Sequence, residues 1–114
     1  MPTATLSRRI DRVAYALSDS TRRSLFALVR DEERSAGELA SQFPQMSRPA
    51  VSQHLRVLRD ANLVSIRVDG NHRFYRAEVD GLEEMRRFLD DMWTDRLSRL
   101  KRAAERSNRD RNNR

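Results

Sequence analysis

The feature that most constrains this chain is a block near its middle, in which two capped helices are followed at once by a hairpin. Ser35-Ala36-Gly37-Glu38 matches a capping box, where a serine oxygen accepts from a backbone amide and a glutamate reaches back three residues later. Ser47 is placed to cap the second helix, with Pro49 in its first turn, where a missing N–H costs little. Asp69-Gly70 is a strong two-residue hairpin signal. This order predicts a winged helix-turn-helix.

The second capped helix is predicted to have one apolar side and one polar side. Three apolar residues at helical spacing mark the buried side: Val51, Leu55 and Leu58. The opposite side carries hydrogen-bond donors and a cation but no carboxylate: Pro49, Ser52, Gln53 and Arg56. A helix that presents such a side after a short helix and a turn is how a helix-turn-helix reads base edges in the major groove of DNA. We therefore predict that this helix recognises DNA.

Ten residues of this helix and the hairpin are predicted to contact DNA: Ser47, Arg48, Pro49, Ser52, Gln53, Arg56, Arg59, Arg67, His72 and Arg73. Gln53 is suited to a bidentate contact with adenine, the alternative being a contact with phosphate only. Arg67 and Arg73 are better suited to the backbone or the minor groove. The alternative for the helix arginines is a solvated face. His54 lies beside the buried stripe, so we interpret it as a packed, hydrogen-bonded residue rather than a metal ligand.

The rest of the chain is predicted to be mainly helical. Hydrophobic spacing predicts helices over 7–17 and near 20–31, a short helix after the capping box, and a helix from Ser47 to about Asp60. Strands are predicted over 63–68 and 71–76, followed by a last helix that begins near Asp80. The fold class is thus mainly α with a small β-hairpin. The predicted divisions are a flexible N-terminus over 1–6, a DNA-binding and dimerisation domain over 7–105, and a basic disordered tail over 106–114.

The positive charge of the chain is concentrated at its C-terminal end. The net charge is +6, but residues 99–114 hold seven basic and two acidic groups, which leaves sixteen basic and fifteen acidic groups over 1–98. The overall positive charge of the chain is therefore weak support for DNA binding. The prediction of DNA binding depends instead on local patches of basic residues. One patch is formed by Arg48, Arg56 and Arg59, and such groups would make binding salt-dependent.

Composition excludes several classes of function. The chain has no cysteine, which removes disulfides, thiolate metal sites and thiol redox sensing. It has no apolar run near the roughly 20 residues of a membrane span and no signal-peptide core, so we expect a soluble cytoplasmic protein. It also lacks a glycine-rich phosphate loop and any histidine–carboxylate cluster at catalytic spacing, so we expect no enzyme activity.

The chain resembles the ArsR/SmtB family of bacterial transcriptional regulators. The resemblance lies in the segments 16–23, 38–40 and 47–63, and the run from Ser52 to Val64 is especially similar to that family's recognition helix and its exit into the wing. The hairpin from Val68 to Tyr75 also fits. The resemblance covers about residues 10 to 100. No single segment is unique to the family, but the ordered set is specific.

The resemblance implies a homodimer that binds a near-palindromic operator in double-stranded DNA, usually to repress transcription. In the family, the first and last helices form the dimer interface. The last helix here carries an apolar stripe that is long for one small domain, which independently favours an interface. The residues predicted at that interface are Ile10, Val13, Leu17, Leu89, Met92, Trp93, Leu97 and Leu100.

The chain departs from the metal-sensing branch of that family. Glu38-Leu39 is followed by Ala40-Ser41-Gln42-Phe43, without the cysteines of that branch, and the last helix has aspartates but no histidine. We therefore expect no metal and no cofactor, and an effector that is a small molecule or a protein. One alternative is a regulator that senses nickel or zinc through a non-cysteine site or a partner protein. Another is a winged-helix module for protein–protein interaction.

Overall fold

The computed structural model describes residues 2–112, and side chains from residue 8 onward. Its elements in chain order are α1 (Pro2–Leu17), α2 (Ser20–Leu28), β1 (Arg34–Ser35), α3 (Ala36–Ser41), α4 (Arg48–Asp60), β2 (Val64–Asp69), β3 (His72–Ala77) and α5 (Asp80–Asn112). The strands form one antiparallel sheet in the order β1-β3-β2. The chain divides into two compact units, one ending at Glu84 and one beginning at Met85. Within residues 2–112, no helix is both long and apolar enough to cross a membrane.

The core of the first unit is built from the apolar sides of its helices and the base of the hairpin. Val51, Leu55 and Leu58 are buried, as the spacing along α4 predicted. The other buried apolar residues are Val13, Ala16, Leu25, Val29, Leu39, Ala61, Leu63, Val64 and Tyr75. This core holds α4 by its apolar side and leaves its other side in solvent.

One predicted interface residue belongs to this core instead. Val13 was assigned to the dimer interface, but only 1% of it is exposed, because α1 packs against α2 and α4 through that side. That assignment is wrong, since a residue buried within its own unit has no surface left for a second copy. Ile10 and Leu17 keep partly exposed side chains.

Both predicted N-caps are present. The Ser35 hydroxyl accepts from the Glu38 N–H at 3.1 Å and donates to the Glu38 carboxylate at 3.2 Å. The Ser47 hydroxyl accepts from the Ala50 N–H at 3.2 Å, which satisfies an amide that the first turn of α4 leaves without a partner. These two serines set where α3 and α4 begin.

The C-terminus of α4 closes with a Schellman motif. Asn62 takes the left-handed conformation, with φ at 59°, and the Leu63 N–H donates to the Leu58 carbonyl at 3.0 Å. The Asn62 N–H donates to the Arg59 carbonyl at 2.9 Å. Leu63 is fully buried, so this turn sends the chain directly from the end of α4 into the sheet.

The hairpin differs from its prediction in two ways. Asp69 pairs with His72, so the two turn residues are Gly70 and Asn71 rather than Asp69 and Gly70. Gly70 has φ at 60° in the first central position, where type II′ turns favour glycine. The sheet also has a third strand, β1, paired with β3, which was not predicted because two residues are too few to show an alternating pattern.

A buried guanidinium joins three elements of the first unit. Arg22 of α2 is 7% exposed and donates to the carbonyls of Ala16 at 2.8 Å and Tyr15 at 3.0 Å, at the end of α1. Its Nη1 lies 3.2 Å from Nδ1 of His54 in α4. An arginine can only donate, so that ring nitrogen accepts and the imidazole proton is assigned to Nε2. Asp19 caps α2 by accepting from the Arg22 N–H, and this bond lowers the pKa of Asp19.

The start of α5 packs closely on the turn that ends α4. A Cβ atom at Gly81 would lie 2.6 Å from the Ala61 carbonyl oxygen and 3.2 Å from that of Asn62. Only a residue without a side chain allows this approach, and the neighbouring atoms are backbone, which cannot turn aside. Gly81 is therefore required by close packing.

The second unit is the long part of α5, and it extends further than predicted. Residues 106–114 were expected to be disordered, but the helix continues to Asn112, and residues 113–114 lie outside the described part. The prediction was wrong because a lack of apolar anchors shows only that a segment has no packed side. Arg106, Arg109 and Arg111 within this segment are good helix formers. Similarly, α1 begins at Pro2 rather than at Ser7, so residues 2–6 of the segment predicted to be flexible are helical, and residue 1 lies outside the described part.

We expect Gly81→Ala to lower the free energy of unfolding by about 1–3 kcal/mol, because the new methyl group overlaps backbone carbonyls. Gly37→Ala is the matched control, since its Cβ would meet only the Ser35 hydroxyl at 3.9 Å. Alanine within a helix should leave stability unchanged or raise it by up to about 1 kcal/mol. Urea unfolding at one protein concentration measures both, and equal effects would contradict the packing argument.

We expect Arg22→Met to lower the free energy of unfolding by about 2–4 kcal/mol, because the buried Ala16 carbonyl and the His54 ring nitrogen lose their donor. Arg23→Met is the control: Arg23 is the exposed neighbour in α2, and its side chain donates to the Leu17 carbonyl. Methionine and arginine have similar helix propensity, so the comparison isolates the contacts. Urea unfolding should place the Arg23 variant within about 1 kcal/mol of the unaltered chain.

Candidate nucleic-acid interface

The polar side of α4 is an exposed surface supported by a rigid helix. Ser52, Gln53 and Arg56 are exposed, and each lies beside a residue that the core buries or half-buries. Because Arg56 follows Ser52 by four residues and Gln53 by three, it lies between them in projection, and the three side chains share one side of the helix. The Ser52 hydroxyl and the Gln53 amide, which can each donate and accept hydrogen bonds, thus lie next to the positive charge of Arg56. These groups match the hydrogen-bonding edges of bases and the charge of phosphates.

All ten residues predicted to contact DNA are exposed, and the structure brings seven of them together on or beside α4: Ser47, Arg48, Pro49, Ser52, Gln53, Arg56 and Arg59. Ser47 also has the structural role of N-cap. Its oxygen accepts from Ala50, which leaves the hydroxyl hydrogen to be donated outward. Pro49 has no backbone N–H, so the guanidinium of Arg48 supplies the main hydrogen-bond donors at this end of the helix.

Arg67, which lies in strand β2 of the wing, is held by a carboxylate. Arg67 donates from Nε to both oxygens of Glu33 at 3.2 Å and from Nη2 at 2.5 Å, and its guanidinium lies 4.5 Å from the Phe74 ring centroid. The hydrogen bond from Arg67 lowers the pKa of Glu33, and the same bond raises the pKa of Arg67. The prediction that Arg67 contacts DNA therefore concerns a side chain whose charge is already paired within the protein.

The tip of the wing carries the other two predicted contacts. His72 and Arg73 are exposed on β3 next to the Gly70–Asn71 turn. Arg73 pairs across the hairpin with Val68, which is itself 66% exposed. The tip thus presents a cation and an imidazole beside an apolar side chain, without the carboxylate contact that holds Arg67.

His54 occupies the position expected of a packed residue. Its side chain is 21% exposed, and Nδ1 lies 4.0 Å from the Asp19 carboxylate as well as close to Arg22. His54 therefore lies on the packed side of α4, beside Arg22 and Asp19, and does not face a ligand. Among the residues that the structure describes, no three or more His, Cys, Asp or Glu side chains are grouped so that they could hold a metal ion.

A cavity of about 420 Å³, which no sequence pattern predicted, lies in the first unit between α1, the end of α4, the base of the hairpin and the start of α5. Its lining includes two arginines and four carboxylates: Arg9, Arg12, Asp60, Glu78, Asp80 and Glu84. Arg9 and Glu84 form an ion pair at 2.8 Å, and Oε2 of Glu84 is buried without a hydrogen-bond partner. These six residues come from α1, α4, the segment after β3 and the start of α5, so no spacing along the chain could have indicated the cavity.

Comparison with known proteins places the chain among regulators. A family model described as a helix-turn-helix domain matches residues 17–67. The HTH-type transcriptional regulator Rv2034 of Mycobacterium tuberculosis (strain ATCC 25618 / H37Rv) is 44% identical over 91 residues, which cover 80% of this chain and 84% of that protein. The transcriptional repressor SdpR of Bacillus subtilis (strain 168) is 31% identical over 75 residues, which cover 66% of this chain and 82% of that protein.

A solved structure agrees in fold and sequence. The ArsR-like transcriptional regulator from Rhodococcus sp. RHA1 superposes with a TM-score of 0.73 at 32% identity, over 92% of this chain and 97% of that one. The similarity therefore extends well beyond the helix-turn-helix segment. Together with the exposed polar side of α4 and the wing, these similarities show that the chain belongs to the ArsR family of winged helix-turn-helix, DNA-binding transcriptional regulators.

Proposed function

We propose that this regulator acts as a homodimer, binds a near-palindromic operator through α4 and the wing, and represses transcription of the adjacent gene. The observation that carries the proposal is the polar side of α4. That helix is capped at both ends, held by a buried apolar stripe, and presents Ser52, Gln53 and Arg56 to solvent without a carboxylate among them. The residues that would read DNA are thus on a rigid element.

The exposed groups divide by chemistry into base readers and phosphate contacts. The Gln53 amide can donate and accept at once, as a bidentate contact with adenine requires, and the Ser52 hydroxyl suits several base edges. Arg48 and Arg59, at the two ends of α4, are placed to meet phosphates and to set the register of the helix. At the wing, Arg73 and His72 are the better candidates, because Arg67 is paired with Glu33.

The second unit supports the homodimer. Six large apolar side chains of α5 are between 46% and 59% exposed: Phe88, Leu89, Met92, Trp93, Leu97 and Leu100. Exposed apolar surface costs roughly 25 cal/mol per Å², and grouped apolar side chains usually mark an interface. A second copy of the same helix is the partner that the family resemblance implies. Two copies related by a twofold axis would present two recognition helices, which suits an operator with inverted half-sites.

Repression follows from occupancy of an operator and needs no further chemistry from the protein. A bound dimer that overlaps a promoter excludes other proteins from the same DNA. The similarity to a relative named as a transcriptional repressor supports this direction of control.

We expect Gln53→Ala and Arg56→Ala to weaken operator binding for different reasons. Loss of the Gln53 amide should cost about 1–3 kcal/mol on the preferred sequence and little on other DNA. Loss of the Arg56 charge should weaken binding to all sequences and lower the slope of log affinity against log salt by about 0.9 per contact. The operator would first be selected from genomic fragments by binding and sequencing, and affinity would then be measured by fluorescence anisotropy.

Arg30→Ala provides the control for that measurement. It removes one charge from an exposed arginine beside Val29, whose carbonyl accepts from Ala77 at the end of the hairpin opposite the wing tip. Binding by this variant should match that of the unaltered chain. Unchanged operator affinity in both α4 variants would show that α4 does not read the DNA.

We expect Leu97→Glu to shift the protein from dimer to monomer, because a carboxylate would be buried without a partner in the proposed interface. The matched control is Ser98→Glu, which adds the same charge one residue further along α5, at an exposed position away from the apolar stripe. Sedimentation equilibrium reports the mass of each variant. A dimer that tolerates Leu97→Glu as well as Ser98→Glu would contradict this interface.

A further inference from the structure

The end of α5 carries a stripe of four arginines that the proposed reading of the operator does not use. Arg99, Arg102, Arg106 and Arg109 follow one another at intervals of three, four and three residues, and they line one shallow groove. All four are exposed. At 3.6 residues per turn they fall within an arc of about 80° on the helix surface. We call these four residues the arginine stripe.

The arginine stripe lies on the side of α5 opposite four of its exposed apolar residues. Leu89, Trp93, Leu97 and Leu100 occupy another arc of about 80°, whose centre is turned by roughly half a circle from that of the stripe. Phe88 and Met92 lie nearer to the angular position of the stripe, but they precede Arg99 by eleven and seven residues along the helix. If a second copy covers Leu89, Trp93, Leu97 and Leu100, the arginines remain in solvent. The two sides of this helix are therefore suited to two different partners at the same time.

The charge of the stripe has only modest internal compensation. Arg99 pairs with Asp95, one turn earlier, while Glu105 and Asp110 flank the stripe on its two sides. No large apolar or aromatic side chain is interleaved with the arginines on this side between residues 99 and 109. Protein partners are usually anchored by buried aromatic or aliphatic groups, which this surface lacks. Phosphates require only donors and positive charge.

The dimensions of the stripe also match a nucleic-acid strand. Arg99 and Arg109 are ten residues apart, which is about 15 Å along a helix. A strand of duplex DNA advances about 3.4 Å per phosphate along the axis, so the stripe spans roughly four phosphates. Arginine also offers a fork of donors that matches phosphate oxygens.

We propose that the arginine stripe is a second DNA-contact surface, which binds the phosphate backbone of the duplex without reading its sequence. The inference rests on the proposed function in one respect, since it assumes that α4 brings the protein onto DNA. Once α4 is bound, the stripe works at the high local concentration set by the continuous chain. It strengthens binding to any duplex and leaves the choice of operator to α4.

The test compares two triple variants of the full chain that lose the same charge from the same helix. The stripe variant is Arg102→Gln, Arg106→Gln and Arg109→Gln, which leaves the Arg99–Asp95 pair in place. The control variant is Arg96→Gln, Lys101→Gln and Arg111→Gln, whose exposed side chains lie outside the stripe. Circular dichroism and sedimentation equilibrium establish that both variants keep the helix content and mass of the unaltered protein.

Binding is measured by anisotropy on an operator duplex with flanking DNA and on a scrambled duplex, over about 0.05–0.2 M salt. The stripe variant should show a slope of log affinity against log salt that is smaller by about 2.7 for each stripe engaged, on both duplexes, at roughly 0.9 per lost phosphate contact. Its preference for the operator over the scrambled duplex should be unchanged. The control variant should retain nearly the full slope.

Equal loss of slope in the two triple variants would overturn the proposal, since diffuse charge rather than the stripe would then attract DNA. An unchanged slope in the stripe variant would also overturn it and point to an acidic protein partner instead. Failure of the proposed function has a different signature. The unaltered protein would then bind both duplexes equally, while the contribution of the stripe could still be measured on the scrambled duplex.

Discussion

The buried guanidinium of Arg22 is the contact on which the position of α4 depends. It lies where the end of α1, the first turn of α2 and the back of α4 meet, and it donates to groups of α1 and α4. Carbonyl oxygens at the end of a helix lack partners within that helix, so a buried donor is required there. Because one rigid, always charged side chain serves these acceptors together, α4 cannot move away from α1 without leaving buried polar atoms without partners.

With α4 held in this way, its polar side is determined by what the core excludes. The buried stripe of Val51, Leu55 and Leu58 uses one side of the helix, and the two caps set its ends. The Schellman turn at Asn62 then leads straight into β2, so the wing begins where the recognition helix ends. The close approach of Gly81 to that same turn places the start of α5 beside it. Helix α4 and the wing thus belong to the same compact unit.

The second unit differs from the first in having no core of its own, because α5 beyond Glu84 has no buried residue. Its apolar residues and its arginines are both exposed, and their arrangement around the helix can be derived from spacing alone. Burial of the apolar side would come from a second copy of the chain. The arginines on the other side would then stay accessible, so a helix that stabilises the dimer also carries positive charge to its surface.

Much of the first unit could be predicted from local sequence, because the signals involved act over three or four residues. The caps at Ser35 and Ser47, the buried side of α4 and the exposure of Gln53 and Arg56 all follow from helical spacing and side-chain chemistry. The position of the hairpin was also predicted, although its turn lies one residue further along, at Gly70 and Asn71.

The tertiary structure alone decided the contacts between residues far apart in the chain. The pairing of Arg67 with Glu33, the burial of Val13, the short strand β1 and the charged cavity beside Glu84 depend on which elements pack together. The helical state of residues 106–112 was missed for a related reason, since hydrophobic patterning reports burial rather than backbone conformation. Short-range rules therefore determined most elements and the exposed polar side of α4, whereas packing decided which polar groups remain available to bind.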